Sequence, residues 1–262
     1  MLGPMLVATA ALVTASSTPE PTLLNCDCAI IDVGLNNGAT LLQWPAEAVA
    51  RLQGNTKKGD KAIARSMHRC LAHKDTACFY GFEANPVFDG RLRHMETQLR
   101  REGRKVQLFA STAFGTSSQN VTFFVQPAGP EGSTGSSLDG SKPLTSVIRR
   151  TTSKPVWYTN LSTEIREHYV ETTVQSVDAA AFLARMHAAS AFVAVKIDIE
   201  GYEYTLLKQL LLTAPSVVCR LKLLVIEWHE RKMPAHAGEA AHLIWLMKQA
   251  ECGVQLLAWH RR

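Results

Sequence analysis

Four acids stand out by their position in the chain. Asp32, Glu83, Asp198 and Glu227 each close a short apolar run, the place where a strand gives way to a loop. In a parallel sheet such ends lie along one edge, and carboxylates gathered there repel one another, so the grouping points to a use. Any single one of them can also serve only to cap the helix that follows.

The first of the four opens the richest segment, Ile30-Ile31-Asp32-Val33-Gly34-Leu35-Asn36-Asn37-Gly38. It reads as a buried strand, an acid, and a turn whose glycines let backbone approach a ligand closely. Ala39 to Trp44 reads as the start of a helix whose free N–H groups face the same crevice. The turn lacks the G-x-G-x-x-G spacing that cradles a pyrophosphate. An acid in place of the first glycine suits a cationic ligand better. Glu83, at the end of the second strand, is placed to accept hydrogen bonds from both ribose hydroxyls of an adenosine. An adenosine joined to a sulfonium and an amino-acid tail, S-adenosyl-L-methionine, meets both requirements.

The elements that must position these acids alternate. Strands are predicted at Cys28 to Val33, Cys78 to Phe82, Lys105 to Ala110, Ala191 to Ile197, Leu221 to Ile226 and Val254 to Trp259. Helices are predicted from Ala39 to about Gln53 (bent or re-capped at Pro45), at Lys61 to Ala72, Val87 to Arg101, Val177 to His187, Tyr202 to Leu212 and about Gly238 to Ala250. The run Ala191 to Ile197 is apolar but for Lys196, as expected of a strand covered on both faces. Strand–helix alternation predicts an α/β, doubly wound and mostly parallel sheet. One stretch departs from it: Val121 to Gln126 is β-rich, Pro127 to Pro143 is crowded with Gly, Ser and Pro, and Trp157-Tyr158 and Tyr169 to Val174 read as extended. The expectation is therefore a Rossmann-like sheet with a β-rich insertion. A further segment, about 54–75, is inserted between the first two strands.

The motifs resemble the FkbM-type family of S-adenosyl-L-methionine-dependent methyltransferases. They occur in order as Ile31-Asp32-Val33-Gly34-Leu35-Asn36-Asn37-Gly38, Gly81-Phe82-Glu83-Ala84-Asn85-Pro86 and Val195-Lys196-Ile197-Asp198-Ile199-Glu200-Gly201-Tyr202-Glu203. Lesser matches are Gly135-Ser136-Ser137-Leu138, Thr173-Val174-Gln175-Ser176-Val177-Asp178 and Val225-Ile226-Glu227-Trp228-His229. The resemblance implies a class I methyltransferase fold over about residues 28–230. It implies that Asp32, Gly34, Asn36 and Gly38 line the methionine and sulfonium end of the cofactor, that Glu83 holds the ribose and Asn85 shapes its loop. Ser111 and Thr112 border the adenine on the same reading. Asp32 and Glu83 stand about twice as far apart as the family normally has them, because of the segment between them.

Transfer of a methyl group to a hydroxyl requires the acceptor to lose its proton, so a carboxylate or imidazole within reach assists. Asp198, Glu200 and His229 are the candidates, with Lys196 on the same strand available to pair with one of them. Glu203 reads instead as an N-terminal helix acid. O-methylation of a sugar or other small hydroxyl-bearing metabolite or glycan is the expected reaction. A Rossmann-like binding domain without catalysis, or a nicotinamide-dependent dehydrogenase, are the alternatives. The dehydrogenase lacks the spaced glycines.

Composition bounds the rest. A chain of 262 residues, 46% hydrophobic and 19% charged, has enough apolar material for one large domain, here residues 23–262. No apolar run is long enough for a membrane-spanning helix. The net charge of +5 comes with basic clusters at Arg91 to His94, Arg100 to Lys105 and Arg149-Arg150, without the aromatic interleaving of a nucleic-acid surface. Residues 1–22 resemble a leader, apolar from Leu2 to Ala15 and then rich in small residues, although no Lys or Arg precedes Arg51. With the sequons at Asn120 and Asn160 this favours the secretory pathway or an extracellular location over the cytoplasm. Six cysteines permit disulfides without fixing their pairing. Cys26, Cys28, His68, Cys70, His73 and Cys78 match no standard zinc spacing, and no metal is expected. Oligomeric state and acceptor identity are not encoded in any motif.

Overall fold

The computed structural model describes residues 23–73, 75–125, 170–229 and 238–259. Six strands form one parallel sheet in the order β3-β2-β1-β7-β8-β9. These are β1 (Cys28–Val33), β2 (Ala77–Phe82), β3 (Lys105–Phe109), β7 (Phe192–Ile197), β8 (Leu223–Glu227) and β9 (Gln255–Trp259). The order reverses direction at β1, which pairs with β2 on one side and β7 on the other. Loops leaving β1 and β7 therefore part to opposite sides and open a crevice, the usual ligand site of such sheets.

The sheet separates two cores, and side-chain alternation decides which residue enters which. Ile30 of β1, Ala194 of β7 and Val225 of β8 face one layer of helices, α1 (Gln43–Gly54), α2 (Lys58–Ala72) and α3 (Asp89–Arg101). Ile31 and Val33, Val195 and Ile197, and Ile226 face the other layer. That layer holds α4 (Ala179–Ala189), α5 (Glu203–Thr213), α6 (Pro215–Cys219) and α7 (Glu239–Gln249). β1, β2 and β7 are buried along their whole length, which explains why they are apolar except at Asp32 in β1 and Lys196 in β7.

Most predicted elements are present, with boundaries displaced for local reasons. The first helix begins at Gln43, not Ala39, because the chain makes turns after Gly38, so Pro45 sits in the first helical turn, where its missing N–H costs nothing. The inserted segment forms α2 as a helix from Lys58. Asp178 is the N-cap of α4 and accepts the Ala181 N–H. Two short elements carry no periodic signal and escaped prediction: β4 (Thr112–Gly115) and α6.

A second, three-stranded sheet has the order β4-β6-β5, with β5 (Asn120–Val125) and β6 (Val170–Asp178) antiparallel. β5 and β6 overlap the runs read as extended at Val121 to Gln126 and Tyr169 to Val174, whereas β4 lies before them. The Gly/Ser/Pro loop at Pro127 to Pro143, the Gly135 to Leu138 motif, Trp157-Tyr158, Asn160 and the leader at 1–22 lie outside the described residues.

All six cysteines are paired: Cys26 with Cys78, Cys28 with Cys70, and Cys219 with Cys252. The first two tie the entry of β1 to β2 and to α2. No helix among the described residues is long and apolar enough to cross a membrane.

Candidate active site

At the carboxyl edge the strands are level: Val33 stands opposite Phe82 on one side and Ile197 on the other. Gly34, Glu83 and Asp198, the next residue of each strand, therefore meet at one crevice. All three line a cleft with Asn36, Asn85, Thr112 and Glu200. Phe82, Phe114 and Phe123 supply its apolar wall. Phe82 stacks on Phe109 at 4.4 Å between ring centres, so that wall is braced from behind.

Glu83 is held by the two loops around it. Asn36 donates its backbone N–H to Oε2 at 2.6 Å, and Asn85 donates its own to Oε1 at 2.7 Å. Each oxygen keeps a further lone pair. Burial pushes the carboxyl up to about 7, against the pull of those two N–H groups, and the nearby Asp198 and Asp32 add to the rise. The Asn36 backbone is in the left-handed region (φ 53°). Gly34 is required for a different reason. At φ 83° a Cβ would lie 1.7 Å from the Asp198 carbonyl oxygen, so only glycine lets the β1 and β7 loops close on each other.

Behind this edge lies a buried ionic triad. Lys196 is opposite Asp32 in the β1–β7 register, and Asp198, two residues on, is on the same face of its strand. Lys196 Nζ is 3.2 Å from Asp32 Oδ1 and 3.2 Å from Asp198 Oδ2. Thr40 donates its hydroxyl to Asp32 Oδ2 at 2.8 Å. Burial alone draws the Lys196 ammonium downward, but Asp32 and Asp198 outweigh it and hold its pKa above the ordinary value. Burial likewise raises the Asp32 carboxyl, with Lys196 opposing. Lys196 thus pairs with both acids, not one.

A second polar cluster forms where β7 and β8 end. His229 donates its Nδ1–H to Glu203 Oε1 at 2.8 Å, and Glu203 Oε2 accepts the Gly201 N–H at 2.7 Å. Glu203 is fully buried. The other imidazole nitrogen, Nε2, lies 3.5 Å from Glu200 Oε2 and 3.8 Å from both Asp198 Oδ1 and Glu227 Oε1. Burial lowers the His229 pKa, but the Glu203 hydrogen bond and the surrounding carboxylates outweigh it, and the net direction is upward. Glu200 is held at φ 53°, a costly conformation for a side-chain-bearing residue and one often found at functional loops.

Of the residues predicted from sequence, Gly34, Asn36, Glu83, Asn85, Thr112, Asp198 and Glu200 line the cleft. His229 joins Asp198 and Glu200 from behind, 3% exposed. Three others are placed elsewhere. Asp32 is fully buried, with both oxygens engaged by Lys196 and Thr40. Gly38 packs at φ 86° against Met95 of α3. Ser111 donates its hydroxyl to Asp89. Sequence reasoning left Thr40 out of the site, counted Glu227 among the strand-end acids without a role of its own, and gave Glu203 only a helix-end role. The spacing D-x-E-G-x-E of Asp198 to Glu203 offers no sign that Glu203 turns inward to orient an imidazole 26 residues later.

The family model described as the methyltransferase FkbM domain matches residues 32–256. The chain belongs to that family. The matched span runs from Asp32, the last acid of β1, into β9, so it includes every residue of the crevice named above. No curated protein and no solved structure matched the chain. The six-stranded parallel sheet is consistent with a methyltransferase fold, and the FkbM assignment rests on the domain match.

Proposed function

We propose that this FkbM-family chain is an S-adenosyl-L-methionine-dependent methyltransferase acting on a hydroxyl of a sugar, glycan or other small metabolite. The observation that carries the reading is Glu83, a clamped carboxylate with spare acceptor capacity on the wall of the cleft. The residues fit the cofactor. Glu83 receives the two ribose hydroxyls, with Asn36 and Asn85 fixing its orientation through their backbones. Gly34 brings the turn after β1 within reach of the amino-acid portion, and Thr112 with Phe114 borders the base. When bound, the cofactor supplies a methyl group made electrophilic by its sulfonium. The chain's own residues align the acceptor, exclude water and take its proton. Glu200 is the group for that last task. It lines the cleft and stands 3.5 Å from His229 Nε2, beside the buried acidic cluster.

Calorimetry with S-adenosyl-L-methionine tests the binding half. Wild type is expected to bind and Glu83→Ala to lose most of the affinity, and equal affinity refutes the assignment. Incubation with labelled cofactor and a panel of hydroxyl-bearing acceptors tests the chemical half. Turnover in wild type with a large loss of kcat in Glu200→Gln supports it, and binding without turnover across the panel favours the inactive binding domain instead.

The secretory pathway is proposed as the route of this chain. Three disulfides suit an oxidising compartment, and the sequon asparagine Asn120 is exposed.

A further inference from the structure

The cluster around His229 has a problem of polarity. Glu203 Oε1 lies against Nδ1, and its carboxylate is itself fixed by the Gly201 N–H. A carboxylate accepts, so Nδ1 is the nitrogen that carries hydrogen, and in the neutral ring Nε2 presents a lone pair. That lone pair points at oxygens of Asp198, Glu200 and Glu227, which are acceptors too. Nε2 is buried and makes no hydrogen bond. Acceptor facing acceptors in a nearly dry site is unfavourable unless something positive stands between them.

The distances say what size of positive group fits. A charge-assisted N–H···O bond closes to about 2.7–2.9 Å. Nε2 is 3.5 to 3.8 Å from three carboxylates and reaches none of them. Ligands about 2.1 Å from a common ion stand roughly 3–4 Å apart. One ligand atom each from Asp198, Glu227 and His229 falls within 4.8 Å of the others. The carboxylate behind Nδ1 is the partner that metal-bound histidines commonly have, since it fixes the tautomer and the ring orientation.

We propose that Asp198, Glu227 and His229 Nε2 form a binding site for a divalent first-row transition cation, with Glu203 as the positioning residue behind the histidine. An imidazole beside two carboxylates selects Mn²⁺, Fe²⁺ or Zn²⁺ over Mg²⁺, which seldom takes nitrogen. The site departs from the sequence expectation of no metal, and the signal was hidden because its ligands come from two different strands. Asp198 also lines the cleft, so the ion stands at its acceptor end. There it coordinates the acceptor hydroxyl and lowers its pKa, and the proton released passes to Glu200. This acceptor-side role rests on the methyltransferase reading, whereas metal binding itself does not.

The test is Mn²⁺ uptake by the full chain, free of cofactor and acceptor, followed through loss of the free-ion electron paramagnetic resonance signal. Wild type is expected to take up one Mn²⁺. Glu227→Gln and His229→Gln are each expected to weaken uptake at least about tenfold. Glu227 is a partly exposed strand-end residue, so its amide variant keeps the fold if His229→Gln does not. Glu203→Gln is expected to weaken binding while keeping the stoichiometry. No uptake by wild type at millimolar Mn²⁺ overturns the proposal and leaves a proton as the occupant of Nε2. Unchanged uptake in Glu227→Gln, or equally tight Mg²⁺ in competition, overturns it as well. Calorimetry with S-adenosyl-L-methionine on the same preparation separates the two readings. Metal uptake without cofactor binding refutes only the methyltransferase assignment, and cofactor binding without metal uptake refutes only the ion.

Discussion

Glu83 gives cofactor affinity a definite dependence on pH. Its carboxyl sits at about 7 in the free protein, raised from an ordinary 4.5 chiefly by burial. Two ribose hydroxyls that donate to it require the ionised form. Below that pKa only a fraction of molecules is competent, and apparent affinity scales with the fraction. One pH unit below, about a tenth is ionised, so the dissociation constant rises roughly tenfold, and about tenfold more with the next unit. Above pH 8 the affinity levels off. The same shift governs the stability of the unliganded chain, with the opposite sense. Between 4.5 and about 7 the folded state holds a proton that the unfolded state has released, so stability falls as pH rises through that window. A shift of that size corresponds to at most about 3 kcal/mol, all of it already lost at pH 8. Isothermal titration with S-adenosyl-L-methionine from pH 5.5 to 8.5, alongside urea unfolding over the same range, measures both. Asp32 is also raised by burial and lies near, so the control is Glu83→Gln, which should bind weakly with a flat profile. A flat wild-type profile, or the same slope in Glu83→Gln, would refute the role given to Glu83.

Lys196→Met is expected to destabilise the fold by about 3–5 kcal/mol, because it leaves Asp32 and Asp198 buried without a cation. The variant should recover on acidification as those carboxyls take protons, and a melting temperature independent of pH would contradict the triad. Gly34→Ala combines a forbidden φ with a backbone clash at Asp198, and it should abolish cofactor binding in whatever fraction remains folded by circular dichroism. A bound, active Gly34→Ala would mean that the two loops stand farther apart in solution. Reduction of Cys26–Cys78 should lower stability by up to roughly 4 kcal/mol in the loop-entropy estimate, read as a fall in the urea midpoint of Cys26→Ser/Cys78→Ser. If the secretory route is right, the chain made in secreting eukaryotic cells should carry glycan at Asn120, detected by mass spectrometry and lost in Asn120→Gln.

Much of this architecture is legible from periodicity. A strand covered on both faces is mostly apolar, so β1, β2 and β7 could be read directly despite Asp32 and Lys196, and the acids at or near their ends marked the edge of the sheet. Glycine turns and the acid at Glu83 are likewise local features. What could not be read is anything decided by pairing across the sheet. Asp32 looks in sequence like a residue presented to a ligand, yet it occupies the level of Lys196 and both its oxygens are consumed there. Ser111 and Thr112 are adjacent in sequence, but a left-handed backbone at Ser111 turns its hydroxyl to Asp89 and sends Thr112 into the cleft. β4 is too short to show alternation, and its pairing with β6 spans a long excursion of chain.

The two ionic groups at the edge share one residue, and that sharing is what links the ends of the cleft. Asp198 gives Oδ2 to Lys196 and turns Oδ1 toward His229. Lys196, which also holds Asp32 beneath the glycine turn, therefore fixes the side chain that stands between the cofactor end and the acidic cluster. A carboxylate at that junction, free to rotate, would point either way, and the buried ammonium removes one choice. The cost of burying Lys196 is then repaid in orientation as well as in charge pairing, a use of buried ions that hydrophobic replacements of similar volume would not reproduce. Substitution of Lys196 should accordingly alter the affinity at the His229 cluster even where the fold survives. A stabilised Lys196→Met chain with unaltered Mn²⁺ uptake would show that Asp198 is oriented by the backbone of β7 alone.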